Sequence, residues 1–306
     1  MSPRTVGVLT DKCTSRFTRL VDASGQTDFR QTRGNFRLKE AIISDPLIRV
    51  EINSATSFSV YEQDASGEKC CGPIISTSVI EDFIIGCRRV NAQSRGLLAA
   101  KSAGVSIAWL LVTAYYCAFF SSIEISRLFG RISVHLDDSD LSALMRKCKL
   151  GGVADDFFKH PIQNFTGKMD EQKITFSSAG QKPHAFVWSN FGVVLKEVYK
   201  ERGWIDAQNI IAIVTGERTP NPSAIRNEWN YKFADRFGPA GENMGRSFSK
   251  LLGNKDGISS WLKNTDWQKR GDEGIADSIA ALCETSSAAV IDTYSRIRSA
   301  KLLEFL

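Results

Sequence analysis

The sequence predicts a mainly α-helical fold with a small β-containing region toward its N-terminus. Three stretches carry that expectation. Residues 105–123, VSIAWLLVTAYYCAFFSSI, are 19 uncharged residues with apolar side chains on almost every face. That pattern marks a central helix packed on several sides. The tail GIADSIAALCETSSAAVIDTYSRIRSAKLLEFL reads as one long helix or two abutting ones. By contrast LIRVEINSATSFSVYEQ, residues 47–63, alternates apolar and polar residues as a half-buried strand does. The chain has 306 residues, of which 42% are hydrophobic and 24% charged. It is long enough for two ordinary domains or one large one, and apolar enough to bury a core.

Taken in order, residues 1–93 are expected to form a small α+β or β-containing N-terminal region. SGQTDFRQTRGNFRLKEA is polar and turn-rich, and IISTSVIEDFIIGCRRV reads as a second strand running into a third. Helical character is expected from about Ser94 and continues to Gly130, a natural C-terminal stop. DDSDLSALMRKCK, residues 137–149, predicts a short helix capped by aspartates. Residues 164–188 return to a period of two around a Ser–Ala–Gly turn, which predicts a β-hairpin inserted between helices. SNFGVVLKEVYKERGW from Ser189, then NPSAIRNEWNYKFADRF from Asn221, resume the helices. The helical domain is therefore expected over 94–306. There is no internal repeat.

Several function classes fall away. Walker, GxGxxG, GxSxG and HExxH motifs are all missing. The three histidines, His135, His160 and His184, have no ligand spacing, and none of the seven cysteines forms a CxxC pair. Reduced thiols, no metal and no cofactor are expected. The acidic clusters at 137–140 and 155–156 read as helix N-terminal residues before they read as Mg²⁺ ligands. The N-terminus has no apolar core region like that of a signal peptide. Residues 105–123 meet the length of a membrane span, but their Ser, Thr and Tyr content points to a buried helix, so a cytoplasmic protein without a membrane partner is expected. The net charge of +5 is compatible with a polyanionic partner. Arg30, Arg33 and Arg37, with phenylalanines interleaved, are candidate nucleic-acid contacts beside the alternative of a solvated basic face.

Within the central helix, Tyr115, Tyr116, Cys117, Ala118, Phe119 and Phe120 place two tyrosines, two small residues and two phenylalanines in succession. Further on, RNEWNY begins with Arg226 and Asn227 and places Tyr231 five residues after the arginine. Both stretches resemble the HEPN superfamily, helical-bundle proteins of which many are metal-independent ribonucleases in bacterial defence and toxin systems. The resemblance covers roughly residues 95–306. It implies a HEPN-like helical bundle, dimeric assembly, and an active motif of an arginine, a polar residue and a later histidine. This chain departs from the pattern at the last position, where Tyr231 stands for histidine.

The resemblance implies RNA as the ligand and Arg226, Asn227 and Tyr231 as the site. Arginine suits a charged phosphorane, with a planar fork for phosphate oxygens. Tyrosine, with a reference pKa of ~10, is a poor general base at neutral pH but can donate to phosphate or stack on a base. On a regular α-helix residues five apart lie about 140° apart, so the pair is expected to meet only at a helix end or across a dimer. Two functions follow as expectations. One is an RNase of a bacterial anti-phage or toxin-like system. The other is a catalytically degenerate subunit that binds nucleic acid or scaffolds a larger defence complex. Arg226 and Asn227 organising a helix start, with Trp229 and Tyr231 packed in the core, is the purely architectural alternative.

Overall fold

The computed structural model describes residues 4–25, 37–148, 163–180, 183–217, 220–232, 234–264, 266 and 271–300. Arg30, Arg33, His160 and the acidic pair at 155–156 lie outside them. The described residues are mainly helical, with one small antiparallel sheet. The chain divides into two compact units, each built from separated stretches. A helical unit comprises Met1–Cys13, Gly86–Ile125 and Val187–Ser295. A mixed unit comprises Thr14–Ile85, Ser126–Phe186 and Arg296–Leu306. This partition differs from the single cut expected near residue 93.

The first element is a helix, α1 (Arg4–Ser24). Val6, Leu9, Cys13 and Phe17 are all buried, a spacing of three and four that repeats once per turn. A second, short helix follows, α2 (Leu38–Ser44). The strands β1 (Arg49–Ser54) and β2 (Ser57–Gln63) then form the expected alternating pair, with β3 (Lys69–Cys70) against β2.

The run IISTSVIEDFIIGCRRV is not strand. It lies in one helix, α3 (Pro73–Ser102). Two facts decide it. Pro73 stands at the first helical position, where its missing N–H costs nothing. Glu62 then accepts the backbone N–H groups of Ile75 at 2.8 Å and Ile74 at 3.2 Å, satisfying donors that the helix itself cannot. Burial on nearly all sides removes the amphipathic period that would have separated this helix from a buried strand.

Next come α4 (Ile107–Leu128), β4 (Arg131–His135) and α5 (Asp138–Cys148). Asp137 caps α5 through the N–H groups of Ser139 and Asp140, and Asp140 pairs with Lys39 at 2.5 Å. The hairpin is β5 (Asn164–Met169) and β6 (Ile174–Ser178). Its turn is Asp170–Lys173, where Asp170 accepts the N–H groups of Gln172 and Lys173, not the Ser–Ala–Gly segment that follows β6. Nor is the hairpin a separate insertion. The sheet order is β1-β2-β6-β5-β4, so β6 pairs with β2 and the two expected β regions are one sheet. Phe58 stacks on Phe176 across that pairing, at 4.9 Å between centroids, above a core shared with Leu38, Ile42, Leu141 and Leu144 of α2 and α5. Each such side chain contributes about 1.5–3 kcal/mol when fully buried. Gly167 is required where it stands, because a Cβ there would come within 2.6 Å of the Phe176 ring.

The remaining described elements are helical. They are α6 (Pro183–Tyr199), α7 (Ile205–Thr215), α8 (Pro222–Asn227), α9 (Pro239–Met244), α10 (Arg246–Leu251), α11 (Lys255–Lys263) and α12 (Asp272–Ser299). The first of these starts six residues earlier than Ser189, and the tail is one helix through Ser299. α4 and α12 are long and apolar enough to cross a membrane by length and composition alone, with mean hydropathies of 1.4 and 1.2 over their most apolar 18 residues. Their most apolar stretches are 72% and 78% buried within the protein. The packing expected on nearly every face of residues 105–123 fails at Trp109 of α4, which is 52% exposed, with its ring edge-to-face against Phe237 at 5.8 Å.

Candidate functional site

The segment PNPSAIRNEWNYK begins as a well-made helix start. The Asn221 side chain accepts the N–H of Ala224 at 2.9 Å, and Pro222 occupies the first turn. After Asn227 the helix widens. Glu228–Lys232 form a π-helical segment, whose hydrogen bonds reach five residues back instead of four. The wider turn reduces the angular offset between residues five apart. As a result Arg226 and Tyr231 meet within one chain, the guanidinium carbon lying 5.5 Å from the Tyr231 ring centroid. The 140° separation expected on a regular α-helix does not apply here. Trp229 faces the interior and is 2% exposed, whereas Tyr231 is 71% exposed. The architectural alternative therefore holds for the tryptophan and fails for the tyrosine.

Three tyrosines surround Arg226. Its guanidinium carbon lies 5.6 Å from the Tyr115 ring centroid and 5.2 Å from that of Tyr116, in addition to Tyr231. All three distances fall within cation–π range. Nη2 donates to the Tyr116 hydroxyl at 2.5 Å, and Nη1 donates to Asn227 Oδ1 at 2.8 Å. Asn227 thus orients the arginine, while remaining exposed itself. A guanidinium carries five N–H groups, and these two bonds use two of them. The Nε is buried without a hydrogen-bond partner among the described residues. Such a buried donor costs about 1–3 kcal/mol when left unmade.

The cage is braced from below. Tyr115 is fully buried; its hydroxyl accepts from Trp188 Nε1 at 3.3 Å and lies 3.2 Å from Ser223 Oγ. This ties α4, α6 and α8 together beneath Arg226. Burial raises the Tyr115 phenol above its ordinary value, so it stays protonated and serves as a hydrogen-bonding strut. The tyrosine pair singled out in the sequence is therefore part of the site wall, a role that its place in a buried helix did not announce.

The other candidates are placed elsewhere. Arg37 Nε is bonded to Asp82 Oδ1 at 3.0 Å, and Asp82 also faces Arg127 at 3.8 Å. Arg37 is thus engaged with a buried carboxylate in the mixed unit. Lys147, in the basic RKCK stretch, donates to the Ile42 and Asp45 carbonyls at 2.7 and 2.6 Å, closing the C-terminal end of α2. Among the described residues no group of three or more His, Cys, Asp or Glu side chains is arranged to hold a metal ion. All seven cysteines are free thiols, and burial pushes Cys13 and Cys71 up to about 12. No family model matches the chain, and neither does any curated protein or solved structure.

Proposed function

We propose that the helical unit is a HEPN-like nucleic-acid-acting module with RNA as its ligand and Arg226 as the group that takes the phosphate. The single observation that carries this reading is the union of Arg226, Asn227 and Tyr231 in one partly exposed site by the π-helical turn. Such turns recur at functional sites because they disturb a helix at a cost in hydrogen bonding. Arg226 is pre-oriented by Asn227 and Tyr116, and with its Nε buried it keeps two terminal N–H groups for oxygen atoms of a ligand. The exposed Tyr231 offers a ring for a base and a hydroxyl for a phosphate oxygen.

In a cleavage reaction, the ribose 2′-oxygen loses its proton and attacks the neighbouring phosphorus. The bond to the 5′-oxygen breaks, that oxygen takes a proton, and a cyclic phosphate remains. Arg226 stabilises the charge that develops on the phosphoryl oxygens. The proton acceptor is the weak point, because tyrosine replaces histidine and the stretches forming the helical unit contain no histidine at all. That observation favours the second reading, a subunit that binds RNA without turning it over. A bacterial defence or toxin-like setting, cytoplasmic location, and assembly with a second copy or with other subunits belong to the same proposal and rest on the resemblance.

A cleavage assay on labelled single-stranded RNA separates the two readings. For the enzyme, the wild type cleaves equally well with EDTA, Arg226→Ala abolishes cleavage with little change in melting temperature, and Tyr231→His accelerates it. Cleavage lost to EDTA and restored by Mg²⁺ contradicts the metal-free mechanism. No cleavage by any variant removes the enzyme and leaves binding.

A further inference from the structure

The outer stripe of α4 continues past the arginine cage. Tyr116, Phe120 and Glu124 are spaced by four residues and so share one face of the helix. The Tyr116 and Phe120 rings lie 6.2 Å apart and 26° from parallel, and both are partly exposed. Each ring carries a guanidinium from a different helix. Arg226 lies 5.2 Å from the Tyr116 centroid, and Arg89 of α3 lies 3.9 Å from that of Phe120.

Arg89 is fixed by Glu124 in much the way that Arg226 is fixed by Asn227. Its Nη2 donates to Glu124 Oε1 at 3.0 Å. Glu124 is only 1% exposed, while the Arg89 side chain is 42% exposed. A buried carboxylate thus holds a surface guanidinium over an aromatic ring. The close approach that permits this depends on Gly86, since a Cβ there would lie 2.0 Å from the Glu124 carboxyl carbon. Two oriented arginines, each set on one of two neighbouring rings, make a ladder along one helix face. A chain of phosphates and planar bases matches that ladder, because phosphates suit the forks and bases stack on guanidinium planes and on the exposed parts of aromatic rings.

We infer that the ladder is the path of a single-stranded RNA, which occupies at least two consecutive nucleotides and contacts Arg89 as a second phosphate site. This rests on the RNA reading of Arg226 and adds the strand's direction across the protein. A folded duplex would not present its bases to the rings.

The test measures binding of a fluorescent eight-nucleotide single-stranded RNA across a salt series. The variants are Arg89→Gln, Arg226→Ala and the neutral pair Arg89→Gln with Glu124→Gln, which removes the charge of the buried carboxylate together with that of Arg89. The expected result is that both Arg89 variants keep the wild-type melting temperature within a few degrees and weaken binding about ten-fold, as for the loss of one hydrogen bond to a charged group. The slope of log affinity against log salt should fall by about 0.7, the value for one phosphate contact. Arg226→Ala weakens binding independently. If it does so while both Arg89 variants match the wild type in affinity and salt slope, the path is wrong and the Arg226 site stands. If the wild type binds no RNA, both fail.

Discussion

At Arg226 the chemistry is set by what the guanidinium has left after its neighbours are satisfied. Asn227 and Tyr116 take one N–H group each, and the buried Nε has no partner among the described residues. The residue types of this candidate site were legible in the sequence through the resemblance, in which Arg226, Asn227 and the spacing to Tyr231 follow a known motif. Its walls were not, since Tyr115 and Tyr116 lie 110 residues away and only tertiary packing brings them in. The candidates Arg30, Arg33 and Arg37 rested on charge density, which does not say whether an arginine is already engaged; Arg37 is, by Asp82. Glu284 shows the same dependence on surroundings. Burial raises its carboxyl above the ordinary value of 4.5, against the opposing N–H of Gly253 at 2.8 Å. A raised carboxyl favours the protonated folded state, so its contribution is present below pH 4.5 and is lost as pH rises through the folded value. Glu284→Gln keeps an acceptor for Gly253 without a charge to bury. Thermal melts from pH 4 to 8 should show the variant gaining on the wild type as pH rises; a constant difference across that range contradicts the assignment.

Among the elements, those that read correctly are the ones whose local pattern and tertiary role agree. β1 and β2 alternate because one face of their sheet is buried, and α5 announces itself through its aspartate cap. α3 misleads because its first half is rich in β-branched residues and buried all round, so neither propensity nor period distinguishes helix from strand. The deciding cap, Glu62, comes from β2, ahead of the helix and outside it. α1 carries a legible period, with Val6, Leu9, Cys13 and Phe17 spaced by three and four. The contact of α3 with α4 gives a test at this scale. Gly86→Ala places a methyl group against the Glu124 carboxylate and should cost about 1–3 kcal/mol, the range for overpacking. Urea denaturation measures it. If Gly86→Ala is as stable as the wild type, the helices do not approach as closely as described, and the fixed Arg89–Glu124 pair goes with them.

For the molecule as a whole, the mainly helical class was readable from the long apolar stretches, while the organisation was not. The sheet draws strands from residues 49–70, 131–135 and 164–178, and pairing at such separations leaves no local trace. The two membrane-length helices have 72% and 78% of their most apolar stretches buried in the folded chain. What the architecture supplies is a π-helical turn that lays an exposed tyrosine beside an oriented arginine. The central claim is that RNA sits there. Photo-crosslinking of a 4-thiouridine-substituted single-stranded RNA to the full chain, followed by peptide mapping, tests it most directly. The expected adduct lies at Tyr231 or its neighbours, within the segment 219–232 that can be compared in both proteins, and is lost in Arg226→Ala. RNA that crosslinks with comparable yield only to other segments, or to this one regardless of Arg226, contradicts the account.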